Sequence, residues 1–141
     1  MKRVVVILAV CIVLFTLLGI NTYAAGPDTT PPQLWAVGMS TQAVETVACL
    51  GSTSVMVQAK AWDLNGIPYV QTQFKRPGDL TWRTRNMALK GDGYWRYWIP
   101  RTAFGVEYVG TWQVRVVAYD TFGNATKSGV KTLQVTTCPA P

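Results

Sequence analysis

The chain has 141 residues, room for one domain of ordinary size. It contains no histidine, which removes Ser-His-Asp and Cys-His catalysis, most catalytic zinc sites and the copper sites of some sandwich folds. Thirteen basic against seven acidic residues give a formal charge of +6, an excess that favours acidic surfaces but falls short of the dense basic stripe of a nucleic-acid binder.

The first element is MKRVVVILAVCIVLFTLLGINTYAAGPD. Lys2 and Arg3, an apolar run from Val4 to Ile20 and then small residues make the pattern of a secretory signal peptide. Cleavage after Ala24 puts Thr22 and Ala24 at the two positions that require small side chains, so residues 1–24 are expected to be removed. The run of 17 residues is shorter than the roughly 20 of a spanning helix. With it gone the mature form has no membrane span; retention as an anchor is the alternative. Removal takes Lys2, Arg3 and Cys11, leaving eleven basic and seven acidic residues, a charge of +4, and the pair Cys49 and Cys138. An even pair in an exported chain implies one disulfide. The expected location is secreted, or on the exterior of the cell envelope.

Residues 25–32, AGPDTTPP, form a Pro-rich lead. Alternating runs then predict seven strands: Leu34 to Met39, Ser54 to Trp62, Tyr69 to Lys75, Thr81 to Leu89, Tyr94 to Ile99, Thr111 to Tyr119 and Val130 to Thr136. Gly, Pro, Asn and Asp supply the turns between them. Alternation is cleanest in the second run, where Val55, Val57, Ala59 and Ala61 share a face, and in the sixth, where Trp112, Val114, Val116 and Ala118 do. Crossover helices are missing, so a parallel α/β fold is excluded, and seven strands in about 110 residues predict two packed antiparallel sheets. If strands run alternately down and up, Cys49 before the second and Cys138 after the seventh lie at the same end, where a bridge can close. The domain is expected over residues 33–138, with 139–141 a short tail.

The segments DTTPPQLWAV, VMVQAKAWDLNGI, GYWRYWI and GTWQVRVVAYDTFGNAT resemble the lead and the second, fifth and sixth strands of bacterial immunoglobulin-like and fibronectin-type-III-like domains. The resemblance spans roughly residues 28–137. It implies a seven-stranded antiparallel immunoglobulin-like β-sandwich used for adhesion, spacing or binding, and no chemistry.

AWDLNG at Ala61 to Gly66 returns as AYDTFG at Ala118 to Gly123. Each reads as a strand end: an inward Ala, an outward aromatic, an Asp that accepts turn N–H bonds, and a Gly for the positive φ. A second reading gathers Asp28, Asp63, Asn65, Asp120 and Asn124 at one pole as oxygen ligands for Ca²⁺; three separate loops, rather than one contiguous Ca²⁺ loop, would supply them. Asn124 also begins an Asn-Ala-Thr glycosylation acceptor.

Aromatic and basic residues crowd the fourth and fifth strands. Alternation turns Trp95, Tyr97 and Ile99 inward and leaves Tyr94, Arg96 and Trp98 outside. With Trp82, Arg83 and Arg85 from the neighbouring strand they are expected to form one binding surface. The reading is an exported, non-enzymatic module that binds a protein or an anionic envelope polymer. The alternatives are a polysaccharide-binding module using Trp82, Tyr94 and Trp98, or a structural domain; nucleic acid is not an expected partner.

Overall fold

A computed structural model describes residues 26–138. The expected signal peptide and the tail at 139–141 lie outside the described residues. Ten strands follow in chain order: β1 Gln33–Met39, β2 Ala43–Glu45, β3 Val55–Trp62, β4 Tyr69–Lys75, β5 Arg83–Asn86, β6 Ala88–Leu89, β7 Trp95–Ile99, β8 Gly110–Tyr119, β9 Ala125–Lys127 and β10 Lys131–Thr136. They form two sheets, one ordered β1-β3-β7-β6 and the other β2-β10-β8-β4-β5 with β9 on β8. All pairings are antiparallel except β2 with β10. This is the ABED and GFC arrangement of an immunoglobulin-like sandwich, with β1 and β2 sharing the first strand between the sheets and β5 as an extra edge strand.

Three expectations about strands need correction. The run from Thr81 to Leu89 is two strands, because the chain changes sheets there: β5 pairs with β4, and β6 with β7. Met87 sits at the changeover, its side chain buried and its N–H bonded to Val70 O at 2.8 Å. The short strands β2 and β9 have too few residues to show an alternating pattern. Tyr94 precedes β7, which begins at Trp95.

The core comes from the inward faces that alternation marked. Val55, Val57 and Ala59 of β3 meet Trp112, Val114, Val116 and Ala118 of β8, all almost fully buried. Each large apolar side chain so buried stabilises by roughly 1.5 to 3 kcal/mol relative to exposure. Trp112 is the largest of them. It packs between Phe74 and Phe104, with ring centroids 5.8 and 5.2 Å away, and its Nε1 donates to Tyr108 O at 2.8 Å, so burial leaves no indole N–H unpaired.

Cys49 and Cys138 form a disulfide, with Cα atoms 5.3 Å apart. It ties the loop after β2 to the chain leaving β10. Beside it, Thr46 N–H donates to Thr136 O at 2.9 Å, continuing the β2–β10 pairing.

Candidate functional site

The outer face of the four-stranded sheet is built by β3 and β7, whose inward residues are spent on the core. Register places Met56 opposite Trp98 and Gln58 opposite Arg96. Lys60 Nζ lies 4.6 Å from the Tyr94 ring centroid, and the Arg96 guanidinium carbon lies 5.2 Å from it. Tyr94 is thus enclosed by two cations, while Arg96 is also held by Asp92, with Nη2 2.5 Å from Oδ2. That ion pair holds the Asp92 carboxyl below the ordinary carboxylate range. Trp98 has no such cover and is 54% exposed.

Two further tryptophans stand on this face. Trp62 ends β3 at 53% exposure, and Trp35 of β1 lies opposite Lys60 at 45% exposure. Strict alternation would have put Trp35 with Val37 and Met39, which pack on the core. A bulge between Trp35 and Gly38, with Ala36 at φ 52°, inserts one residue and moves Trp35 outside. Period-2 patterning carries no sign of such a bulge.

The other half of the expected surface is elsewhere. Arg83 and Arg85 lie on β5, in the opposite sheet, paired with Phe74 and Thr72. They therefore point to the core side of an edge strand rather than beside Trp98. Arg83 is engaged by Asp79, with Nε to Oδ2 at 2.8 Å, and Arg76 joins the same carboxylate at 3.2 Å. These two guanidinium groups, Arg83 foremost, hold the Asp79 carboxyl well below the ordinary range. Trp82 faces outward on that second sheet, stacked under Arg115 at 4.1 Å. The sheet change after β5 separates these residues from Tyr94, Arg96 and Trp98 by the thickness of the sandwich.

At the pole where β3 and β8 end, the recurring motif is one turn built twice. Asp63 Oδ1 accepts the Asn65 N–H at 2.8 Å, and Asp120 Oδ1 accepts those of Phe122 and Asn124 at 2.8 Å each. Gly66 and Gly123 have φ of 91° and 87°, which an L side chain strains to adopt. The lead crosses between the turns. Carboxylate oxygens of Asp28, Asp63 and Asp120 lie within 4.8 Å of one another, and Asp120 is only 2% exposed. Asn65 and Asn124 enter as donors: Asn65 Nδ2 bonds Asp28 Oδ2, and Asn124 Nδ2 bonds Asp120 Oδ2, each at 2.7 Å. The Thr30 N–H, with Asn65, lowers the Asp28 pKa from its ordinary value. Asn124 Nδ2 also bonds Asp28 O at 2.9 Å, so the nitrogen that a glycan would need is already engaged in packing the lead. An open groove of about 600 Å³ beside the cluster is lined by Trp62, Leu64, Phe122 and residues of the lead.

The strand order defines an immunoglobulin-like β-sandwich. No family model matches the chain, and no curated protein matches it. Among solved structures it is similar to a structure of murine CRIg, at 12% identity and a TM-score of 0.40, over 78% of this chain and 100% of that one. The fold assignment rests on the strand order described above.

Proposed function

We propose that this chain is an exported, non-enzymatic binding module whose outer β1-β3-β7-β6 face docks a protein partner. The observation that carries the reading is the exposure of Trp35, Trp62 and Trp98 on one sheet face, around the ordered Tyr94, Lys60 and Arg96. Trp, Tyr and Arg are the residue types that dominate interface energies, because they bury much area at little entropic cost. Arg96 and Lys60 are already positioned, so docking immobilises little further. The disulfide agrees with an oxidising compartment, and among the described residues no helix is long and apolar enough to cross a membrane.

The test is a binding array of extracellular and envelope proteins probed with the oxidised chain, Trp35→Ala/Trp98→Ala, and Trp82→Ala on the opposite sheet. The expected result is a protein ligand whose affinity falls about 30-fold or more in the double variant and is unchanged in Trp82→Ala. Binding that survives the double variant, or no protein bound across the array, overturns the reading.

Ca²⁺ at the pole belongs to the same proposal. Three carboxylates held this close repel one another, and a hard cation that prefers oxygen ligands would offset the repulsion. A melting temperature that rises with Ca²⁺, and ceases to in Asp63→Asn, supports the cation. Melting insensitive to both Ca²⁺ and chelator removes it and leaves the Asn65 and Asn124 amides as the balancing groups.

A further inference from the structure

The opposite side of the sandwich has a different chemistry. On the outer face of β2-β10-β8-β4-β5, Gln73 lies opposite Arg115, and Lys75 opposite Gln113. Gln71 lies opposite Asn86 in the neighbouring strand, with its Nε2 bonded to Asn86 Oδ1 at 3.1 Å. Where the face near Trp98 presents free rings, this one presents side-chain amides and hydroxyls in rows, with Tyr69 stacked on Tyr119 at one end and Trp82 under Arg115. Its cations are Arg115, Lys75 and Lys127, none of which forms a salt bridge among the described residues. The acidic residues lie at the pole, in the pairs with Arg76, Arg83 and Arg96, in the turn at Glu107, and at Glu45 on the far edge strand β2. Glu45 stands at the edge of this face, and none of the three cations is paired with a carboxylate among the described residues.

Arg115 is held in place without being used up. Its Nε donates to Gln73 Oε1 at 2.8 Å, and its guanidinium carbon sits 4.1 Å over the Trp82 ring. The two terminal nitrogens have no protein acceptor among the described residues, so a planar pair of donors is aimed outward from a fixed base. A carboxylate or sulfate oxygen pair matches that fork. Side-chain amides beside it offer both a donor and an acceptor, which is what a run of sugar hydroxyls requires. Neighbouring strands about 4.8 Å apart repeat this offer across the sheet.

We infer that this face binds an acidic polysaccharide, with Arg115 on the anionic group and Gln71, Gln73 and Gln113 on the hydroxyls. Charge complementarity selects this occupant. Three spaced cations are too few for the charge density of nucleic acid, and the rings on this face are already paired, Trp82 with Arg115 and Tyr69 with Tyr119, rather than standing free as Trp98 does. The inference is independent of the docking face proposed above, because the two surfaces lie on opposite sheets.

Retention of the oxidised chain is measured on polygalacturonate for carboxylates, chondroitin sulfate for sulfates, neutral dextran, and poly-aspartate as a polyanion without sugar. Retention on either acidic glycan and not on dextran is the expected result, and which of the two retains it identifies the anionic group. Arg115→Gln should weaken it about tenfold or more. The Gln113 side chain is exposed and forms no hydrogen bond among the described residues, so Gln113→Ala should weaken it several-fold with melting unchanged. Trp98→Ala should leave it intact. Equal retention on poly-aspartate, retention on dextran, none on either acidic glycan, or full retention in both Arg115→Gln and Gln113→Ala overturns the inference.

Discussion

Removing the disulfide, as Cys49→Ala/Cys138→Ser, deletes a covalent link between residues 89 apart in sequence. A closed loop of that length lowers the entropy of the unfolded chain by about 15 cal/mol/K, which is about 4 to 5 kcal/mol at 25 °C in the chain-entropy model. For a domain of about 110 residues the unfolding entropy near the midpoint is about 230 cal/mol/K, so the loss corresponds to a fall in Tm of about 17 to 22 °C. Native-state packing does not soften this figure, because Cys49 is itself buried and its sulfur contacts Thr46 Oγ1 at 3.3 Å. Thermal unfolding followed by circular dichroism, on the oxidised wild type and the double variant, measures the shift. Urea titration of both checks that the m-values support a two-state comparison. A fall of less than about 5 °C would refute the reasoning, and would mean that the unfolded chain is already restricted without the bridge.

Ala36 is a non-glycine residue at φ 52° with its side chain exposed, so Ala36→Gly relieves backbone strain without opening a cavity. The left-handed cost of roughly 1 to 2 kcal/mol outweighs the added entropy of glycine, roughly 0.5 to 1 kcal/mol, and Tm should rise by about 2 to 4 °C; a fall would show that the strain is not where the dihedral places it. Asp79 has a depressed pKa in the folded state, through Arg83 first and then Arg76. Its contribution is therefore fully present above the unfolded value of about 4 and is lost as pH falls towards the folded one. The stability gap between wild type and Asp79→Asn, from urea unfolding at a series of pH values, should narrow below about pH 4, and parallel profiles down to pH 2 would contradict the pairing.

Much of the sandwich was legible because its signals are local. Val55, Val57 and Ala59 declare an inward face by alternation alone, and the same holds for Trp112 to Ala118 on β8. The recurring Asp and Gly of the two polar turns were readable for the same reason: Asp63 and Asp120 bond backbone N–H groups two residues on, within the segment that names them. The cysteine pairing needed only a count and the parity of strand directions.

What tertiary structure decided was which outward residues are neighbours. Arg83 and Trp98 look adjacent in a chain read as one long strand beside another, yet the sheet change at Met87 places them in different layers. Trp35 reads as an inward residue until a bulge, fixed by pairing with β3, turns it to solvent. Arg115 and Trp82 stack although β5, β6 and β7 lie between them in the chain, and nothing in either local sequence announces the other. Alternation tells a residue which side of its own strand it occupies, because that is set by the backbone of a few residues. Which strands share a sheet is set by the sum of core contacts across the whole chain, and the composition of each binding face follows from that sum.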